Sequence, residues 1–433
     1  MKKQISFLLI LCLTVLVFSG CSQKPDDKPI DVSDDPTQPE TPDETKEPNP
    51  KYDLCESSEF LMFKPVVTVR DGEYEVWITT QYSGICSIVI GDESFVAADD
   101  IADDGWNFFK CRIPQEKLDK AKTYAICYAQ SEDAKPKGVE FEFKPIEKTE
   151  NIHVYVSSDV HEAFNATLSE YEYWGDDVDL IVCNGDFLNQ ISVNDDIFKI
   201  ISFYGELSRG RYPLVTARGN HEYIEANRDH NRQGAEGSSK GYKSYTKYIS
   251  ENGKNYYKFT IGPITGIVFD LLEGGENVTF PKDEQSYIET VTRGLLEEEA
   301  FLENVELDDE KIKIVIGHCS PSYDGGVMGD EMLCFEDGIL FPEYEKITGL
   351  INNLNIDFMI CGHFHGNFIF EPNDGQGQVP TNYPIIFGCT RLHAFENNHS
   401  GMALTLYKDK VDVVYVDHLL NVMGTATVSY PQN

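Results

Sequence analysis

The sequence predicts an α/β (α+β) domain, with two mixed β-sheets flanked by helices, behind a small all-β sandwich. Three observations carry that expectation. From residue 151 onward, apolar runs of the fully buried strand type alternate with helical stretches. Between 51 and 147, short β-branched and aromatic runs are separated by turn signals, the rhythm of a sandwich. The 433 residues are 41% hydrophobic and 25% charged, a globular composition at a length that usually holds more than one domain.

Residues 1–20 read as a targeting segment. Lys2 and Lys3 form a positive start, and Ile5 to Phe18 is an apolar stretch too short to span a bilayer comfortably. The run Phe18-Ser19-Gly20-Cys21 resembles the bacterial lipobox, which implies lipidation of Cys21 and an anchored position in the cell envelope, outside the cytoplasm. Phe18 departs from the Leu or Val more common there. Residues 21–50 have almost no apolar content and much Pro, Asp and Glu. They cannot bury enough surface to offset chain entropy and should form an extended tether.

The sandwich region, 51–147, contains runs such as Val66 to Arg70, Tyr74 to Thr80, Cys86 to Ile90, Phe108 to Ile113, Thr123 to Tyr128 and Val139 to Phe143. Asp71-Gly72 is a hairpin signal between the first two. In the second region, 148–433, strands are expected at Val154 to Val156, Leu180 to Cys183, Leu214 to Thr216, Ile312 to Ile316 and Phe358 to Cys361. Helices are expected near 195–209, 284–304 and 343–354. The polar stretch from Asn227 to Tyr256 and the Asp324-Gly325-Gly326 loop are candidates to shape a substrate pocket. None of the eleven cysteines forms a CxxC pair, which excludes a zinc ribbon or thioredoxin-like motif. Cys183, Cys361 and Cys389 read as buried thiols, whereas Cys55, Cys86, Cys111 and Cys127 are available for disulfides after export.

The formal net charge is -37, from 73 acidic and 36 basic residues. Such an excess repels phosphate backbones and argues against nucleic-acid binding. A phosphate-bearing substrate would need strong local positive charge, and metal ions are its natural source.

Each of the five strands of the second region runs into a polar cluster: Ser158-Asp159-Val160-His161, Asn184-Gly185-Asp186, Arg218-Gly219-Asn220-His221-Glu222, Gly317-His318, and Gly362-His363-Phe364-His365. Ligands of open α/β sheets sit beyond the carboxyl ends of strands, so five such ends define one crevice. Carboxylates, imidazoles and one amide oxygen suit Zn, Mn or Fe. A shared carboxylate can bridge two metal ions about 3.5–4 Å apart, lowering the pKa of a bridging water and clamping phosphoryl oxygens.

This ordered set, D-x-H, G-D, G-N-H-E, G-H and G-H-x-H, resembles the calcineurin-like metallophosphoesterase superfamily over about 151–420. The resemblance implies a two-metal phosphoric ester hydrolase in which a bridging hydroxide attacks phosphorus. One metal would be held by Asp159, His161, Asp186 and His365, the other by Asp186, Asn220, His318 and His363, with two divalent or trivalent ions as cofactors. It further implies that His221 protonates the leaving group or orients the phosphate. Arg218 takes the position that contacts phosphate in the serine/threonine phosphatases. Those enzymes place an aspartate three residues after the bridging one, where this chain has Asn189. Purple acid phosphatases place a metal-ligating tyrosine at that point, so their charge-transfer colour is not expected here. The region 51–147 resembles their fibronectin-III-like N-terminal domain in strand rhythm and domain order, and this makes a small phosphomonoester the favoured substrate. A phosphodiesterase or nucleotidase is the alternative, and a non-catalytic surface binding module on the same scaffold is a further one. Glu222 is expected to orient neighbours through hydrogen bonds, Cys319 to be inert, and His153 and His418 to be structural. For His393 and His399 a structural role outweighs lining a pocket.

Overall fold

The computed structural model describes residues 51–97, 99–103, 106–189, 191, 194–222, 245–250, 254–271, 285–322, 341–373, 379–389 and 399–431. The targeting segment, the tether, Cys21, His230, His393, the Asp324-Gly325-Gly326 loop and most of the stretch from Asn227 to Tyr256 lie outside them. Among the described residues no helix is long and apolar enough to cross a membrane.

The N-terminal region consists of β1 (Asp53–Leu54), β2 (Val66–Val69), β3 (Glu73–Thr80), β4 (Ile85–Ile90), β5 (Glu93–Val96), β6 (Asp99–Asp103), β7 (Trp106–Pro114), helix α1 (Gln115–Ala121), β8 (Thr123–Ala129) and β9 (Lys137–Glu142). There follow β10 (Ile152–Ser157), α2 (Phe164–Tyr171), β11 (Leu180–Asn184), α3 (Asn194–Ser208), β12 (Pro213–Ala217), β13 (Tyr257–Ile261), β14 (Ile264–Val268), α4 (Gln285–Asn304), β15 (Ile312–Ile316), α5 (Phe341–Asn353), β16 (Phe358–Cys361), β17 (Phe368–Phe370), β18 (Ile385–Phe387), β19 (Ser400–Leu406), β20 (Lys410–Asp417) and β21 (Val422–Ser429). All three expected helices and all five expected strands of the second region are present.

Three sheets result: a ten-stranded one ordered β21-β20-β19-β10-β11-β12-β2-β3-β7-β6, a six-stranded one ordered β13-β14-β15-β16-β18-β17, and a five-stranded one ordered β1-β9-β8-β4-β5. Alternation along the strands explains the layers. Val154 and Val156 of β10, Val182 of β11, and Ile314 and Ile316 of β15 enter one core shared by the two large sheets. The residues between them turn outward. Tyr155, Ile181 and Cys183 pack in a second core with Ile197, Ile201 and Tyr204 of α3. Val315 and Met359 pack in a third with Leu295 of α4 and Ile347 of α5. Each strand is thus buried on both faces, which is why the sequence shows continuous apolar runs there. Each fully buried Val, Ile or Phe contributes about 1.5–3 kcal/mol over an exposed one.

The N-terminal strands form the expected sandwich, with Tyr74, Val76 and Ile78 of β3 and Ile88 and Ile126 of the five-stranded sheet in the shared core. One of its sheets is continuous with the sheet that holds β10, β11 and β12. β2 pairs in parallel with β12, Val67 opposite Pro213 and Thr68 opposite Leu214. Register also accounts for the thiols available for disulfides. Cys86 lies opposite Tyr128 and Cys127 opposite Ser87, so their side chains point to opposite faces of the sheet. Cys55, Cys86, Cys111 and Cys127 stand as thiols, unlike the disulfide expectation; Cys183, Cys361 and Cys389 are buried thiols as expected.

Candidate metal centre

The parallel pairings of β10 with β11 and β11 with β12, and of β15 with β16, align their carboxyl ends. Asp159, Asp186, Asn220, His318 and His363 each follow such an end by one to three residues. The turns are unusual. Asp159 (φ 53°), His161 (φ 44°), Asp186 (φ 57°), His363 (φ 70°) and His365 (φ 49°) all adopt the left-handed conformation. Residues with a Cβ rarely occupy it, and each instance costs about 1–3 kcal/mol unless the surroundings enforce it. Here the enforcement is visible: the Asp159 N–H donates to Gly185 O (3.1 Å), His161 N–H to Asp186 O (2.9 Å) and Gly362 N–H to His318 O (2.9 Å). Gly362 is needed for close approach, since a Cβ there would lie 2.0 Å from Ser158 Oγ and 2.6 Å from Asp159 Oδ2.

These turns converge two adjacent donor groups. Asp159, His161, Asp186 and His365 bring one ligand atom each within 4.8 Å of one another. Within that set His161 Nε2 and His365 Nε2 are 3.1 Å apart, and His365 Nε2 is 3.3 Å from Asp159 Oδ1. On the other side of Asp186, its Oδ2 lies 3.1 Å from His318 Nε2, and His363 Nδ1 lies 3.0 Å from Asn220 Oδ1. His318, Cys319 and His363 form a second group of candidate donors. All seven residues expected to hold metal therefore meet in one place.

The donor set fits cations on two counts. Asp186 Oδ2 and His318 Nε2 are buried and make no hydrogen bond of good geometry, an arrangement a cation between them would satisfy. The protonation tendencies of Asp159, Asp186 and His161 point the same way. Burial works against the charged forms of Asp159 and Asp186, yet the neighbouring imidazoles outweigh it and hold both carboxyls below their usual range. Burial pushes His161 down to about 3, leaving a neutral ring with a lone pair to donate. His318 goes the other way: burial alone would lower it, but the Asp186 and Asp159 carboxylates hold it up at about 10.

Behind the ligands lies a layer of side chains whose task sequence alone only partly suggested. The Glu222 carboxylate accepts the N–H groups of Asp186 (2.8 Å), Phe187 (2.7 Å) and Gly219 (2.9 Å), tying the turns after β11 and β12 together. Burial, then the nearby Asp186, pushes its carboxyl up. The expected orienting role of Glu222 is this one. His221 donates its main-chain N–H to Asp186 Oδ1 (2.8 Å), and its Nδ1 lies 2.7 Å from Asn189 O. Arg218 sits in the same turn, but its Nε and Nη2 donate to the two oxygens of Asp270 at 2.8 and 2.6 Å, with its side chain 1% exposed. Asp270 in turn donates its N–H to Glu298 Oε1 (2.7 Å), whose carboxyl burial and Asp270 push well up.

His399 is fully buried. Its Nδ1 is 2.8 Å from Glu170 Oε2 and its Nε2 is 2.7 Å from Ser158 O, so the ring braces the residue before Asp159. Nothing in the sequence marked Glu170, Asp270 or Glu298. An acid at mid-helix reads as solvent-facing until its partner is known. His153 stacks on Trp174 at 3.9 Å, a structural role as expected.

Fold and site together define a metal-binding phosphoesterase domain. Residues 152–367 match the calcineurin-like phosphoesterase family model, and that region is a calcineurin-like phosphoesterase domain. No curated protein matches the chain. Among solved structures, the purple acid phosphatase PPD1 isolated from yellow lupin (Lupinus luteus) seeds is similar with a TM-score of 0.57 at 13% identity, over 85% of this chain and 74% of that one. PhoD is similar with a TM-score of 0.52 at 12% identity, over 85% of this chain and 90% of that one. At these identities the likeness is one of fold.

Proposed function

We propose that this chain is a hydrolase of small phosphate esters that works with two metal ions of the Mn, Zn or Fe kind and is held to the bacterial envelope through Cys21. The observation that carries the reading is the place of Asp186, a member of one donor group whose Oδ2 lies 3.1 Å from His318 Nε2 of the other. In this reading Asp159, His161, Asp186 and His365 hold one ion, and Asp186, Asn220, His318 and His363 the other. When bound, such ions supply Lewis acidity that activates water and neutralises phosphoryl charge. The chain's own residues do the rest. Glu222 fixes the spacing of the Asp186 and Asn220 turns through its three N–H acceptances. His221 presents Nε2 beside the centre, 3.9 Å from Asp186 Oδ2, where it can hold a proton for the leaving oxygen. Arg218, paired with Asp270, anchors the turn that carries Asn220 and His221. Phosphomonoesters remain the favoured substrates, with phosphodiesters and nucleotides as the alternative, and the sandwich 51–147 supports the domain 148–433.

The test is hydrolysis of p-nitrophenyl phosphate and bis-p-nitrophenyl phosphate by the purified protein supplied with Mn, Zn or Fe in turn, with Asp186→Ala alongside. Metal-dependent turnover in the wild type only supports the reading, and the preferred ester chooses between monoesterase and diesterase. Full turnover by Asp186→Ala, or wild-type protein that binds no metal, overturns it.

A further inference from the structure

The residue that orients His221 is not a carboxylate. Its Nδ1 faces the main-chain oxygen of Asn189 at 2.7 Å, and a carbonyl oxygen only accepts, so Nδ1 carries the hydrogen and Nε2 is the atom turned to the metal centre. The residue that bears this carbonyl is itself tied down through its side chain. Asn189 Nδ2 donates to Glu162 Oε2 at 3.0 Å. Glu162 follows His161 directly, sits at φ 72°, and donates its N–H to Phe187 O at 2.9 Å. A side chain kept in the left-handed conformation at the mouth of a site, with its carboxylate tied to a neighbouring loop, points to a task beyond packing.

We propose that Glu162 is a positioning residue for His221, acting through Asn189. The proposal rests on the phosphoesterase reading. As the phosphorus–oxygen bond breaks, the doubly protonated His221 ring gives its Nε2 proton to the leaving oxygen, forming a free alcohol and the neutral Nδ1–H ring; the water that supplies the new oxygen on phosphorus releases the proton that restores Nε2–H. Held in one orientation, the ring presents that proton where the leaving oxygen forms. Loss of Glu162 should therefore be felt most by simple alkyl phosphates, whose leaving groups need protonation, and least by aryl esters.

The experiment compares kcat/KM for p-nitrophenyl, phenyl and methyl phosphate in the metal-loaded full chain and its Glu162→Ala and Glu162→Gln variants. Glu162→Ala should lose about tenfold on methyl phosphate and much less on p-nitrophenyl phosphate, with metal content unchanged. Glu162→Gln keeps an oxygen that accepts from Asn189 Nδ2 and should restore the alkyl rate. Equal losses on both esters, or no loss on methyl phosphate, would overturn the proposal. The His221 ring tautomer is read in parallel from nitrogen chemical shifts. Nδ1–H should dominate in wild type and Glu162→Gln and give way to a mixture in Glu162→Ala. An unchanged tautomer in Glu162→Ala overturns the positioning role even in a protein that hydrolyses none of the esters, an outcome that counts separately against the phosphoesterase reading.

Discussion

Removing the Glu222 carboxylate tests the claim that this side chain, and not the metal ligands alone, holds the centre together. Its three acceptances come from buried main-chain N–H groups of Asp186, Phe187 and Gly219. Each buried donor left without a partner costs about 1–3 kcal/mol, so Glu222→Ala should destabilise the fold by about 3–9 kcal/mol. That is comparable with the whole margin of a typical domain, about 5–15 kcal/mol. Glu222→Gln is the sharper variant. Its amide oxygen in the place of Oε2 keeps the bonds from Asp186 and Gly219, while its NH2 opposes the Phe187 N–H, so the cost should be that of one donor, about 1–3 kcal/mol. Urea unfolding in the presence of a chelator gives both values without a contribution from bound metal. Because the two turns also set the distance between Asp186 and Asn220, metal affinity of Glu222→Gln should fall about 10–100-fold. Equal stability of the two variants, or a Glu222→Ala protein within about 1 kcal/mol of wild type, would refute the reasoning.

Three further outcomes are expected. Arg218→Ala leaves Asp270 and Glu298 buried together without their cation, which should cost about 3–5 kcal/mol in the same unfolding assay; a neutral result would mean that water reaches the pair. Gly362→Ala drives a Cβ into Ser158 Oγ and Asp159 Oδ2 and should abolish metal binding measured by elemental analysis, whereas retained stoichiometry would show that the turn can yield. His399 has a raised folded value, because Glu170 and the Ser158 carbonyl outweigh its burial. Its stabilising contribution is therefore complete below the unfolded histidine value, about 6.5, and is lost as pH rises through the folded one. The melting-temperature gap between wild type and His399→Gln should be widest in mild acid and narrow on the alkaline side; a gap that widens with pH contradicts the bracing imidazolium.

Much of the catalytic half was legible because its strands are buried on both faces. Val154 to Val156 and Phe358 to Cys361 are apolar without interruption, Ile312 to Ile316 is broken only by Lys313, and each gives way within three residues to Gly, Asp or His. That change of chemistry marks a strand end as plainly as any turn signal, and it located all seven residues that meet in the centre. The helices announced themselves by length and amphipathic spacing. Less legible were β19, β20 and β21. The alternating residues of β20 and β21, as in Lys410–Asp417, fit an edge region half open to solvent, and no chemistry at the ends of the three strands called attention to them. The continuity of the sandwich with the catalytic sheet was invisible for a different reason. The two short pairings of β2 with β12 join residues far apart in the chain, and nothing in Val67 or Thr68 distinguishes a strand with one neighbour from a strand with two.

The partners of the charged residues were the hardest to read, and Arg218 shows why. In sequence it stands beside Asn220 and His221, which makes a phosphate contact the natural expectation. In the fold its guanidinium lies against Asp270, 52 residues on, at the end of β14. A buried arginine has a strong electrostatic demand, and whichever acid meets it first in space decides its role. Asp270 is itself held by the helix residue Glu298. The turn after β12 is thus tied to α4 as well as to the neighbouring strand, and Glu222 ties it back to β11. These two buried carboxylate anchors, on either side of Gly219, account for a strained set of ligand turns that local sequence would not sustain. The left-handed Asp186 is stable here because its own N–H and that of Gly219 share one acceptor oxygen. The centre is accordingly a property of the packed sheet ends and their second layer of acids, and substitutions in that layer should change metal affinity without touching a ligand.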